Sequence, residues 1–228
     1  MKNLASCSLA AIIASTTSLL ILSTPAQAFS FKVSGQVDKA IVGADNGEES
    51  DIGFVDNNGS NTRFRFLGSQ ELNNGVEFGF NYEVALTNNL STNFDINTSD
   101  TDSTFLDVRK TEVYLIGDLG KVSLGKGDGA ANGTSEVDLS GTQYLGGGSA
   151  HYYASGISFL DPDGNPIGTI GGAAYNNFDA LSRNNRIRYD TPSLGDVVLS
   201  ASLDSGKAVE TAARYATDFG DGWKFETA

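Results

Sequence analysis

The sequence predicts an all-β chain, folded as an antiparallel up-and-down transmembrane β-barrel. Three observations carry that expectation. Apolar residues recur at every second position, a period that suits strands and not helices. The clearest run, Val76 to Leu86, has Val76, Phe78, Phe80, Tyr82, Val84 and Leu86 on one parity and Glu77, Gly79, Asn81 and Glu83 on the other. It is as long as the ~9–11 residues of a strand that crosses an outer membrane, where soluble strands average about five or six. Finally, the connections between such runs alternate short and long, which places the tight turns of a meander at one end. Alternation alone fits equally a soluble sandwich that hides its apolar face and a barrel that turns it to lipid; the loop rhythm favours the barrel.

Residues 1–28 read as a secretory signal. Lys2 supplies a positive start, Leu9 to Leu22 is an apolar stretch too short to span as a helix, and Pro25-Ala26-Gln27-Ala28 ends in a small-x-small cleavage site. A lipoprotein-like Leu4-Ala5-Ser6-Cys7 stands before the apolar region, the wrong side for that processing. Cleavage after Ala28 removes one of 15 basic residues, none of the 28 acids and the single cysteine, moving the formal charge from −13 to −14. Strands are expected at 29–42, 61–72, 76–87, 109–117, 121–127, 185–191, 196–204, 211–219 and 223–228. Outward candidates are Phe31, Val33, Val37, Phe64, Phe66, Val113, Leu115, Val122, Leu124, Ile187, Tyr189, Val197, Leu199, Tyr215, Trp223 and Phe225. Arg63, Arg65, Glu112, Arg186, Arg188 and Arg214 take the opposite parity. Short turns fall at Asn73-Asn74-Gly75, Asp118-Leu119-Gly120, Pro192 to Gly195 and Gly220-Asp221-Gly222. Long loops fall at 87–108 and, longest of all, at about 128–184. The acid-rich stretches Asp45 to Asp56 and Asp95 to Asp107 lie in loops, where water solvates charge.

Composition excludes several functions. An acidic chain of pI near 4.3 repels nucleic acid. One cysteine makes neither an internal disulfide nor a cysteine zinc site. Neither Gly-x-Ser-x-Gly nor His-Glu-x-x-His occurs, and the lone His151 leaves room only for a Ser–His pair, so no enzyme and no cofactor are expected. Asp161-Pro162-Asp163-Gly164-Asn165 has the start of a calcium loop, but its twelfth position is Gly172 instead of glutamate, and a polar hairpin turn is the better reading. Tyr152-Tyr153 beside His151 offers a stacking platform for solutes or packing within the loop.

Thr62-Arg63-Phe64-Arg65-Phe66-Leu67-Gly68-Ser69-Gln70-Glu71-Leu72-Asn73-Asn74-Gly75 resembles the second strand and turn of Gram-negative general porins. Lys121-Val122-Ser123-Leu124-Gly125-Lys126 resembles the family's fifth strand. Asn185-Arg186-Ile187-Arg188-Tyr189-Asp190-Thr191-Pro192-Ser193-Leu194-Gly195 resembles its sixth, in the family's order. The chain ends at Phe225-Glu226-Thr227-Ala228 without the family's terminal aromatic residue, and about nine strands stand where the family has sixteen, so a fragment is expected.

The resemblance implies an outer-membrane channel for passive diffusion of small hydrophilic solutes and ions. It further implies a homotrimer among outer-membrane lipids, with the loop after Lys126 folded inward to narrow the pore. Glu136 and Asp138 on that loop would then face Arg63, Arg65, Arg186 and Arg188 on the wall, Arg63 being the best match to the family's pore arginine. The alternative from another class is a secreted β-sandwich, or a surface binding or adhesin protein without channel activity.

Overall fold

The computed structural model describes residues 29–45, 49–72, 74–96, 106–141, 152, 155–169 and 179–228. The signal segment, His151 and Tyr153 lie outside them. Among the described residues thirteen strands are formed: β1 (Ser30–Gln36), β2 (Lys39–Asp45), β3 (Ser50–Asp56), β4 (Arg63–Glu71), β5 (Glu77–Leu86), β6 (Leu106–Gly117), β7 (Gly120–Asp128), β8 (Ser158–Leu160), β9 (Pro166–Thr169), β10 (Arg183–Asp190), β11 (Val197–Asp204), β12 (Val209–Gly220) and β13 (Trp223–Thr227). Nine make one antiparallel sheet in the order β1-β4-β5-β6-β7-β10-β11-β12-β13, each overlapping one of the nine expected strands, the first of them shorter than expected. The sheet does not close on itself, in keeping with an incomplete barrel.

Register explains the two faces. On one side Val33 lies opposite Phe66, Phe66 opposite Tyr82, Phe80 opposite Val113, Val113 opposite Leu124, Leu124 opposite Ile187 and Ile187 opposite Leu203. This row is the expected apolar parity, and its members range from half-buried Phe66 and Phe80 to well exposed Val33 at 59% and Leu124 at 53%. The other side pairs Arg65 with Glu83, Asn81 with Glu112, Gly125 with Arg186 and Ser123 with Arg188. Among the described residues only five apolar side chains are buried, against thirteen polar ones. A soluble sandwich would invert that ratio, since its stability comes from a dry apolar core. Here the apolar face is the more exposed one and the polar face the sheltered one, the arrangement expected of a membrane barrel.

Turn chemistry sets the ends. Gly220 pairs with Trp223 across Asp221-Gly222, both at positive φ (51° and 85°), the two-residue turn whose twist matches a hairpin. Gly117 and Gly120 close a second two-residue loop over Asp118-Leu119. On the outer face Phe29 stacks on Phe80 across Gly68, where a Cβ would meet the Phe80 ring at 2.3 Å, so only glycine fits below that pair.

The N-terminal edge departs from expectation for a physical cause, and a turn in the longest loop meets it. The first strand, expected over 29–42, breaks after Gln36. The Gln36 side-chain amide donates to Ser60 Oγ (2.8 Å) and the Asp38 backbone amide to Thr62 Oγ1 (3.0 Å), turning the chain so that β2 leaves the sheet and pairs with β3, which makes a strand of Ser50–Asp56 where a loop was expected. The alternation runs through the bend, so period two does not reveal it. Within the longest loop, β8 and β9 form a small hairpin whose turn is Asp161 to Asn165. The Asp161 carboxylate accepts the amides of Asp163 (2.9 Å) and Asn165 (2.8 Å), the polar turn foreseen for that segment.

Candidate functional site

The polar face gathers its charges where β4, β5 and β6 run side by side. Glu83 of β5 is 2% exposed, and three guanidinium groups converge on it: Arg109 through Nε at 2.6 Å, Arg63 through Nη1 at 3.4 Å, and Arg65, its cross-strand partner, through Nε. Arg63 is further fixed by donating to the Asn61 carbonyl (3.1 Å) and Ser60 Oγ (3.1 Å). Arg109 owes its place to a β-bulge. Glu83 pairs with Lys110 and Val84 with Val108, so Arg109 is the extra residue, and both it and Lys110 reach the polar side. Lys110 pairs with Asp128 at the end of β7, and Arg183 of β10 stands 3.7 Å from the same carboxylate.

These arginines border a cavity of about 450 Å³, shared between wall and long loop. The wall contributes Arg63, Arg65, Arg109 and Arg183; the loop contributes Asn132, Glu136, Asp138, Tyr152 and Asp179. A second cavity, of about 360 Å³, continues along the wall past Glu83, Lys110 and Asp128, with Arg63, Arg65, Arg109 and Arg183 common to both. Among the residues lining the two, five cations and two carboxylates stand on the wall and three carboxylates on the loop. The charges sum to zero, but the signs are separated across the opening.

The loop acids are held by their own segment. Gly133 donates its amide to Asp179 (2.7 Å) and Tyr152 its hydroxyl to Glu136 (3.4 Å). Asp138 accepts the Ser140 amide at 2.8 Å, and the Ser140 hydroxyl and amide together hold its carboxyl below the usual aspartate range.

Of the six expected site residues, Arg63, Arg65, Glu136 and Asp138 line one cavity. Arg186 and Arg188 stand at the root of the loop, outside the residues that line it. Arg186 is 5% exposed, pairs with Glu112, and donates to the carbonyls of Asp128 (2.9 Å) and Gly125 (3.2 Å). Arg188 chelates Asp190 and donates to the Gly129 carbonyl at 2.7 Å. Arg214 of β12 takes the Asn132 carbonyl at 2.8 Å. Gly127 makes room for this packing, since a Cβ there would come within 2.5 Å of Arg186 Nη2 and of Glu112 Oε2. Glu83, Arg109, Arg183 and Asp179 were not singled out from sequence. Parity already put Glu83 on the polar side, and its register with Arg65 was the missing step. Arg109 is hidden by the bulge, which breaks the parity count.

No curated protein matches the chain. The family model described as "Gram-negative porin" matches residues 8–226, nearly the whole chain. Its sheet, polar inner face and outward apolar row agree with that match, and the chain belongs to the Gram-negative porin family, a family of outer-membrane channels and not of enzymes.

Proposed function

We propose that this chain builds a water-filled channel for passive diffusion of small hydrophilic solutes and ions, with its constriction between the Arg63–Arg65–Arg109 cluster and Glu136 and Asp138. The carrying observation is the separation of sign across the two adjoining cavities taken together, a three-charge cationic excess on the wall against three carboxylates on the loop. Such a lining makes a field transverse to the passage. Polar solutes orient in it, and apolar ones lose hydration without compensation. Because the lining sums to zero, permeability to small cations and anions should differ only modestly. Arg186 and Arg188 enter this reading as supports of the loop, next to the constriction. The remaining expectations fit the same reading: export by a signal cleaved after Ala28, lipid around the apolar row, and assembly as a homotrimer.

The test is single-channel conductance of the full-length, detergent-refolded protein in a planar bilayer under a salt gradient. Stable ohmic steps grouped in threes, with a reversal potential near zero, are the expected result. Silence from protein shown to be folded and inserted would overturn the channel and return weight to a binding or adhesin protein.

A further inference from the structure

The long loop leaves the wall at Gly129 and returns at Ser182, and its two ends are already joined by the Gly129 amide on the Ser182 carbonyl (2.9 Å). A second, side-chain connection spans them. The Ala130 amide donates to Ser202 Oγ of β11 at 2.8 Å, the Ser202 hydroxyl donates to Glu210 Oε2 of β12 at 3.2 Å, and the Leu181 amide donates to Glu210 Oε1 at 2.8 Å. One carboxylate thus links loop entry, loop exit and two wall strands. Ser202 is 6% exposed and its bond from Ala130 is buried, while the Leu181 link lies at the surface. Gly129 permits the approach: a Cβ there would lie 1.8 Å from Glu210 Oε2.

From this root the chain runs to the acids as a rigid arm. Successive tight turns join Asn132 to Gly129 (3.4 Å), Thr134 to Ala131 (3.2 Å) and Glu136 to Gly133 (3.2 Å), each by an amide on a carbonyl three residues back. The Gly133 amide on Asp179 ties the arm to the returning segment (2.7 Å). Any slack at the root therefore reaches Glu136.

We propose that Glu210, acting through Ser202, is a positioning residue of the channel: a staple that fixes both ends of the loop and so holds the acids at a constant distance from the arginine wall. This rests on the channel reading above. Its job is geometric, because Glu210 lines neither of the two cavities between wall and loop.

Three variants in full-length protein decide it. Glu210→Ala should give open-channel noise and brief sub-conductance closures several-fold more frequent than wild type, with mean ion preference little changed. Glu210→Gln should restore quiet openings, since its amide oxygen accepts the Leu181 amide and its NH₂ donates to Ser202 Oγ. Gly129→Ala, which displaces the carboxylate, should reproduce Glu210→Ala. Each variant is first shown to be folded by heat-modifiable migration in SDS gels. A quiet, folded Glu210→Ala channel would overturn the proposal, as would a Glu210→Gln channel as noisy as alanine, which would mean that charge and not linkage matters. Limited proteolysis in detergent gives a readout free of conduction: cleavage within 129–182 should be faster in Glu210→Ala than in wild type and Glu210→Gln. Should the wild type prove silent in bilayers, the channel reading falls, while those cleavage rates still decide the staple.

Discussion

Two clusters of arginine share one sheet face and one parity, yet their donors are used differently. At the loop root Arg186 uses Nε, Nη1 and Nη2 on three separate acceptors, and its side chain is 3% exposed beside a 9% exposed Glu112. Around Glu83, three guanidiniums divide one carboxylate, and Arg65 is engaged only through Nε, with 37% of its side chain open to the cavity. The root cluster is saturated and closed, so its charge is spent on structure. The Glu83 cluster is under-neutralised and, through Arg65, partly exposed, so on the proposed reading its charge is available to a passing solute. Arg186 and Arg65 thus differ in the count of acceptors within reach, whereas Arg63 lines the cavity with all three of its nitrogens engaged, on Asn61, Glu83 and Ser60.

The sharpest way to break that distinction is Arg186→Ala. It leaves Glu112 as a buried, unpaired carboxylate, which typically costs about 3–5 kcal/mol. The expected outcome is a clear fall in the urea midpoint of detergent-folded protein, with the ion preference of surviving channels close to wild type. Arg65→Ala sets the opposite corner. A partly exposed pair is worth at most about 1 kcal/mol, so the midpoint should barely move while reversal potentials shift toward cations. Equal stability losses for the two would erase the comparison.

Next in size is Arg63→Glu, which changes the wall by two charges. One unit charge about 4 Å from an ion in water is worth about 1 kcal/mol, so the cation-to-anion permeability ratio should rise about fivefold or more. Glu83→Gln should move the same ratio the other way by a smaller amount, because it removes the one carboxylate that the three guanidiniums share. Bi-ionic reversal potentials measure both. An unchanged potential in Arg63→Glu would remove Arg63 from the constriction.

The sheet was open to reading from sequence because its strands alternate apolar and polar residues, a rhythm that the bulge in β6 interrupts. The charged site was only partly legible. Arg63 and Arg65 follow from parity, and Glu136 and Asp138 from the resemblance of the loop, but Arg109 sits at a bulge where two successive residues face one way. Glu83 shows its importance only when β4 and β5 are set in register, which places it directly opposite Arg65. Arg186 and Arg188 illustrate the reverse limit. Parity predicts that they point inward, and they do, but it says nothing of how far along the strand the loop descends. That depends on backbone carbonyls at 128, 129 and 132, which no side-chain pattern encodes.

The smallest expected effect concerns the loop side of the field. Asp138 is held below the ordinary aspartate value of 3.8 by hydrogen bonds from Ser140, so its carboxylate stays charged as the pH falls into the range where an unassisted aspartate would take up a proton. Ser140→Ala removes the hydroxyl donor and keeps the amide, so protonation of Asp138 should begin at a higher pH. Each proton taken up there deletes a negative charge facing the arginines, and anion preference must rise as it does. Permeability ratios recorded from pH 7 downward should therefore coincide for wild type and Ser140→Ala at neutral pH, then part on the acid side, with the variant turning toward anions first. Asp138→Asn should already lie on the anion-preferring side at pH 7 and lack that step in its titration. Coincident acid limbs for wild type and Ser140→Ala would mean that solutes do not sense Asp138, leaving Glu136 and Asp179 to carry the negative side of the cavity.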